Sequence, residues 1–271
     1  MRKEGMRPAT DAERKALGIP PAYTDPLVAI DPKADLIAMA TITTPSGKTK
    51  PFYKYSAAHI ARQAKAKFNR VAKLGSKIEK IEAKIEKDCQ SSNEDIRHVA
   101  MTARLILLTG MRIGNPPQGK DPSFGATSLL TSHCSFEACA GNGVVNTIVL
   151  DFIGKKGVAQ HYEVNDALFA LYVRERQSEA RLFPHEANAV LRYMKSIGAS
   201  KAHDLRTWRA MMVAEALITE LLKDGLPTSK KAAKLLRRTV GEQVGKILGN
   251  NASQALKSYI DAKIIPTHEA E

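Results

Sequence analysis

The residue with the most chemistry to offer is Tyr259, in the stretch LGNNASQALKSYIDAKIIP. Its surroundings read as a helix, and Asn250 stands nine residues upstream. A free phenol has a pKa of about 10, so tyrosine alone is a poor nucleophile. It becomes a useful one only where other side chains supply positive charge and hydrogen-bond donors. Three cations sit where they could do so: Arg112 in TGMRIGN, Lys155 in FIGKKG and Arg206 in KAHDLRTWRA. Each also has a plainer role open to it. Arg112 could cap the C-terminus of the apolar helix before it, Lys155 could be a solvated lysine at a hairpin tip, and Arg206 could pair with Asp204 or with a nearby helix.

Other chemistries fit less well. Residues 114–120, GNPPQGK, match part of a nucleotide P-loop. Asp121 stands where Ser or Thr should hold magnesium, Pro116 and Pro117 remove N–H groups that should cradle phosphate, and a helix precedes the loop where a strand should. The seven histidines form no H-x-x-x-H pair, and Cys89, Cys134 and Cys139 show no C-x-x-C spacing, so no metal site is expected. Two-metal DNA cleavage needs clustered carboxylates, which are sparse beside the basic segments. Phosphoryl chemistry here would run on cationic side chains.

The elements that must position these residues follow from composition and pattern. The chain has 271 residues, is 44% hydrophobic and carries a net charge of +13. Twelve Lys or Arg against three Glu between Lys48 and Lys87 supply nine of those charges. A field concentrated in this way favours a polyanion, most simply nucleic acid. An odd cysteine count and no apolar leader in MRKEGMRPATDAERKALG suggest reduced thiols in the cytoplasm. No apolar run approaches the roughly 18 residues of a membrane span.

Residues 1–19 predict a short helix, and the four prolines of PPAYTDPLVAIDP predict irregular chain. LIAMATITTPSGKTKPFYKY predicts two strands around a Pro-Ser-Gly turn. Helices follow at 57–74, over KIEKIEAKIEK and at 94–110. Strands over Val144–Phe152 and Ala159–Val164 flank FIGKKG as a hairpin. Further helices are expected near 166–178, 185–197, 204–223, 228–248 and 251–260. The fold class is α+β: a β-rich module over residues 1–57, then a larger, mainly α-helical domain over 58–271 with a short β-hairpin.

The order of the candidates carries more than any one of them. Arg112, Lys155, His203-x-x-Arg206, Asn250 and Tyr259 are accompanied by AYTD at 22–25, FYKY at 52–55, MRIGN at 111–115 and SFGATSLLTSHC at 123–134. FIGKKG at 152–157, LFP at 182–184, DLRTW at 204–208 and LGN…KSYI at 248–260 complete the set. With these eight motifs in order over nearly the whole chain, the sequence resembles the type IB DNA topoisomerases, in particular the compact poxvirus and bacterial members. It departs from the viral pattern at Asn250, where those members have histidine. It also departs at His203, where lysine is common, and at Phe52, where glutamine is usual.

The resemblance implies a tyrosine recombinase/topoisomerase IB-like fold and a catalytic set of Tyr259, Arg112, Lys155, Arg206 and Asn250. Tyr259 would form a 3′-phosphotyrosine, the two arginines would bind nonbridging oxygens, Lys155 would protonate the leaving 5′-oxygen, and Asn250 would donate to phosphate. Lys50, Tyr53, Lys54, Tyr55, Ser123, Phe124, Thr127 and His203 would contact DNA. The implied partner is double-stranded DNA clamped by a monomer, with no nucleotide cofactor, no metal and no membrane. The implied location is cytoplasmic, at the nucleoid in a bacterium. A tyrosine recombinase or integrase shares the R…K…H-x-x-R…Y order. An architectural DNA-binding protein that has lost catalysis is a third reading, opposed by the intact set of Arg112, Lys155, Arg206 and Tyr259.

Overall fold

The computed structural model describes residues 4–44, 47–115, 122–136, 146–199, 201–223 and 225–268. Cys139 and residues 116–121 of the P-loop-like stretch lie outside them. The chain divides into two compact units, Met1–Asn69 and Arg70–Glu271.

The first unit holds a four-stranded antiparallel sheet in sequence order. Its elements are β1 (Met6–Pro8), α1 (Asp11–Ala16), β2 (Thr24–Ala29), β3 (Leu36–Thr43) and β4 (Thr49–Tyr55). Ile19, Val28, Ala38 and Ala40 form its small core. Helix α1 opens on a capping box: Thr10 Oγ1 accepts from Glu13 N–H while the Glu13 carboxylate accepts from Thr10 N–H. Arg7, and after it Thr10, holds the Glu13 carboxyl down at about 2.

Two expectations fail in this unit. The proline-rich stretch predicted as irregular contains β2. Pro26 is accommodated because the ladder to β3 shifts register between Thr24 and Leu27, and Asp25 takes a left-handed φ of 50°. The Pro26 carbonyl still accepts from Ala9 N–H at 2.9 Å, so the missing proline donor costs the sheet little. The first nineteen residues, predicted as helix only, also supply the edge strand β1, which at three residues is too short to show a period.

Helix α2 (Ala57–Gly75) begins in the first unit and ends in the second. The second unit continues with α3 (Ile78–Cys89) and α4 (Glu94–Thr109), then a three-stranded antiparallel sheet of β5 (Cys134–Phe136), β6 (Thr147–Ile153) and β7 (Ala159–Asn165). It closes with α5 (Ala167–Glu175), α6 (Ala187–Ser196), α7 (Ala202–Leu221), α8 (Lys230–Leu248) and α9 (Ala252–Ser258). Helix α4 is the core helix: Ala100, Ala103, Leu105 and Ile106 are fully buried, and it packs against α3, α6 and α7. Asn93 caps its start, and Asp166 caps α5 while taking both donors of Arg104 at 2.9 and 2.6 Å. Strand β6 alternates, burying Ile148, Leu150 and Phe152 and exposing Asp151 and Ile153. A second cluster joins Ala210 and Ala214 of α7 to Val240, Val244 and Leu248 of α8, with Tyr259 and Ile260. The α+β class expected from the sequence is the class observed. No helix among the described residues is long and apolar enough to cross a membrane.

Candidate active site

Arg112 follows the end of α4. Gly110 closes that helix in the left-handed conformation, φ 67°, and its N–H returns to Ile106. The helix therefore has its own cap, and Arg112 does not serve as one. Its Nη2 instead donates to Asn250 Oδ1 at 2.8 Å. The SFGATS stretch braces the backbone here. Ala126 N–H donates to the Arg112 carbonyl and Thr127 N–H to Ile113, both at 2.8 Å. A Cβ on Gly125 would lie 2.7 Å from the Arg112 carbonyl oxygen, so only glycine allows so close an approach.

Arg206 lies near the start of α7, as its fifth residue, and is buried. Its two terminal nitrogens donate to the Gly110 and Leu248 carbonyls, tying together the ends of α4 and α8. The expected alternative partner, Asp204, is engaged by Arg70 at 3.2 and 3.4 Å. Tyr259 is the residue that ends α9, and its ring belongs to the α7–α8 core. The Arg206 guanidinium stands 5.1 Å from the centre of that ring, and the exposed His203 ring stacks on it at 5.2 Å. A cation over a π-face is an attractive contact in its own right, and it keeps positive charge beside the phenol.

Lys155 is exposed at the turn between β6 and β7, as the hairpin reading expects. Its neighbour Lys156 takes a left-handed φ of 67°, a conformation uncommon outside glycine. Arg112, Lys155 and Arg206, far apart in sequence, line one small cavity of about 20 Å³. That is room for roughly one water-sized group. A second hollow of about 200 Å³ is lined by Arg112, His203, Arg206 and Tyr259, and a third of about 700 Å³ by Arg112, Lys155, Lys156, Lys246 and Asn250. Arg112 is common to all three. Asn250 Nδ2 is buried without a hydrogen-bond partner among the described residues. Three cations therefore border a space of oxygen-atom size, with a spare amide donor on the adjoining hollow, an arrangement that suits a phosphate oxygen.

The remaining candidates scatter. Thr127 is fully buried and bonds the Ile113 carbonyl at 3.0 Å, so it supports the Arg112 segment from beneath. Phe124 does reach the small cavity of the three cations, and with Ser123 it also lines a hollow of about 950 Å³ on the hairpin, where its ring meets His133 edge-on at 4.5 Å. In the first unit, Lys50, Tyr53, Lys54 and Tyr55 all lie on β4. Tyr53 and Tyr55 share a face with ring centres 6.5 Å apart, Tyr55 stacks on His59, and Lys54 Nζ donates to the Leu17 carbonyl at the end of α1.

Two residues near the cavity were missed in the sequence. Tyr162 and Gln160, both on β7, line it with the three cations. Burial pushes the Tyr162 hydroxyl above its ordinary pKa, against the opposing pull of Arg206 and Arg112. Only their period-two spacing on one face of a predicted strand could have pointed to them.

Residues 56–262 match the model of the eukaryotic DNA topoisomerase I catalytic core. The match takes in the whole cationic cluster and Tyr259. The chain belongs to this family, and with it to the type IB DNA topoisomerases, a class of isomerases. Similar proteins include the DNA topoisomerase 1B of Acanthamoeba polyphaga mimivirus, 24% identical over 273 residues, covering 92% of this chain and 77% of the viral one. Among solved structures, the XerH site-specific recombinase bound to its difH substrate in a pre-cleavage complex aligns over 69% of this chain with a TM-score of 0.42 and 16% identity. The chain spans 50% of that recombinase's length.

Proposed function

We propose that the protein relaxes supercoiled duplex DNA by cutting and resealing one strand through Tyr259. The observation that carries this reading is the convergence of Arg112, Lys155 and Arg206 on one small cavity, with Asn250 bonded to Arg112 and Tyr259 beneath Arg206. Tyr259 Oη attacks phosphorus in line and its proton passes to solvent. The P–O5′ bond breaks as the Oη–P bond forms, leaving a 3′-phosphotyrosine. Lys155 gives a proton to the departing 5′-oxygen and regains one from water. Arg112 and Arg206 neutralise charge on the nonbridging oxygens, and Asn250 Nδ2 adds a hydrogen bond. The covalent link keeps the energy of the cleaved ester, so the 5′-hydroxyl can reseal the strand without ATP. Charge stabilisation by guanidinium and ammonium groups leaves no step that calls for a metal.

Double-stranded DNA is the proposed substrate, bound by a monomer chiefly through phosphate contacts from Lys and Arg. The Tyr53 and Tyr55 face of β4, with Lys50 elsewhere on the same strand, is proposed as a further DNA-contact surface. In this reading His203 steadies the Tyr259 ring.

The test is plasmid relaxation in EDTA without ATP, by wild type and by Tyr259→Phe. Wild type is expected to relax the plasmid and to form a denaturant-resistant DNA adduct. Tyr259→Phe should do neither while still binding DNA. Binding without relaxation by the wild type would leave an architectural protein. Activity confined to plasmids with one particular sequence would point to a recombinase.

A further inference from the structure

The proposed chemistry leaves Gln160 and Tyr162 without a part, although both face the site. The Gln160 side chain lies between two glycines that each precede a candidate catalytic residue. A Cβ on Gly154, next to Lys155, would stand 2.8 Å from Gln160 Cγ. A side chain on Gly249, next to Asn250, would run into the Gln160 carboxamide itself. Gly249 also takes φ +60°, which favours glycine for a second reason. Gln160 Nε2 donates to the Ala159 and Val158 carbonyls at 3.1 and 3.3 Å, holding the return of the hairpin. Its Oε1 accepts from Tyr162 Oη at 3.2 Å. One side chain thus lies between the Lys155 hairpin and the Gly249–Asn250 turn, with bare backbone against it on both sides.

We propose that Gln160 is a positioning residue that docks the β6–β7 hairpin on the Gly249–Asn250 turn and so sets the reach of Lys155. Tyr162 orients it from below. The inference rests on the proposed reading of Lys155 as proton donor to the leaving 5′-oxygen. Without Gln160 the hairpin keeps its strands but loses its seat, and the donor moves off the departing atom. Small misplacements of this kind cost on the order of 10²-fold in rate.

A change of leaving group tests it. A duplex oligonucleotide is made around a cleavage site mapped on plasmid DNA, with either oxygen or sulfur as the bridging 5′-atom. A thiolate departs without needing a proton, so sulfur removes the demand on Lys155 alone. Single-turnover cleavage is measured for wild type, Lys155→Ala, Gln160→Ala, Gln160→Met, Tyr162→Phe and Arg206→Ala in the full chain. Gln160→Ala should be roughly 10- to 100-fold slow with oxygen and close to wild type with sulfur, as should Lys155→Ala. Arg206→Ala should stay slow with both. Gln160→Met, which fills the same space without the hydrogen bonds, and Tyr162→Phe should show smaller defects that sulfur also erases. A Gln160→Ala defect equal on both substrates, or none at all, overturns the proposal while rescue of Lys155→Ala leaves the proton-donor reading intact. Failure of sulfur to rescue Lys155→Ala removes both.

Discussion

Arg206 and Lys155 border the same cavity but are built in opposite ways. Arg206 is buried, its guanidinium locked to two helix-end carbonyls before any ligand arrives. Lys155 is exposed on a turn, and its strand is seated by the single side chain of Gln160. The difference matches the demands of the two proposed roles. Charge on a transition state is best stabilised by dipoles and cations that need no rearrangement. A proton donor must approach an atom that is itself leaving, and a fixed donor would serve only one moment of the reaction. The floor of the site is therefore preorganised and its roof is carried on a hairpin.

The largest effect that tests this contrast is at Arg206. Arg206→Ala is expected to slow cleavage by about 10²–10³-fold. It should also lower stability, because two buried carbonyls lose their donor at roughly 1–3 kcal/mol each. Arg206→Lys should recover little, since a single ammonium cannot span the Gly110 and Leu248 oxygens as a planar fork does. Thermal melts beside single-turnover rates check both halves. A rate loss with an unchanged melting temperature would mean that the floor is not structural.

Asn250 comes next. Asn250→Ala removes the acceptor for Arg112 and the spare Nδ2 donor, with an expected loss of about 1.5 kcal/mol, or roughly tenfold in cleavage rate. Since Asn250 is only half-buried, the melting temperature should hardly move. At the roof, Lys156→Gly should relieve the left-handed strain of that residue, raising stability by about 1 kcal/mol. The same change should reduce the slope of log affinity against log salt by about one counterion and leave the rate of chemistry near wild type. An unchanged salt slope would show that the hairpin tip does not touch phosphate.

The smallest effect lies along the same hairpin. His161 is held by Asp151 at 2.8 Å, and beyond it by Glu163, and both raise its pKa above the ordinary value. Folding therefore favours the protonated ring. The resulting stabilisation is full below the unfolded value of about 6.5 and is lost as pH rises through the higher folded value. Titration of His161 by NMR should give a midpoint above that of a free histidine. Asp151→Asn should bring it down.

The sequence exposed these two regions unequally. The hairpin was legible because two β-rich runs flank a lysine-glycine turn, and its exposed tip needs no long-range partner. Arg112, Arg206 and Tyr259 were legible as types in an order, but their partners were not. That Arg206 bonds the ends of α4 and α8, or that Asp204 belongs to Arg70, depends on helix packing that no local pattern records. Gln160 was illegible for the same reason, since its neighbours Gly154 and Gly249 are 95 residues apart and their only signal is the absence of a side chain. Strand β2 was missed because proline outweighed a short apolar run, and the bulge at Asp25 that absorbs Pro26 leaves no mark in the composition.

The placement of Tyr259 within the α7–α8 core has a mechanical side. Gly241 and Gly245 of α8 let α9 lie so close that a Cβ on either would stand 2.8 Å from Leu256 or from the Asn250 backbone. A strand esterified to Tyr259 would thus be bolted to packed helices, while its other end would face the exposed lysine turn of the hairpin. Torque stored in the duplex would then be resisted by a stiff anchor on one side and by surface drag on the other. The number of turns released per cutting event would be governed by that drag and by the lifetime of the ester, with the anchor contributing neither slip nor spring.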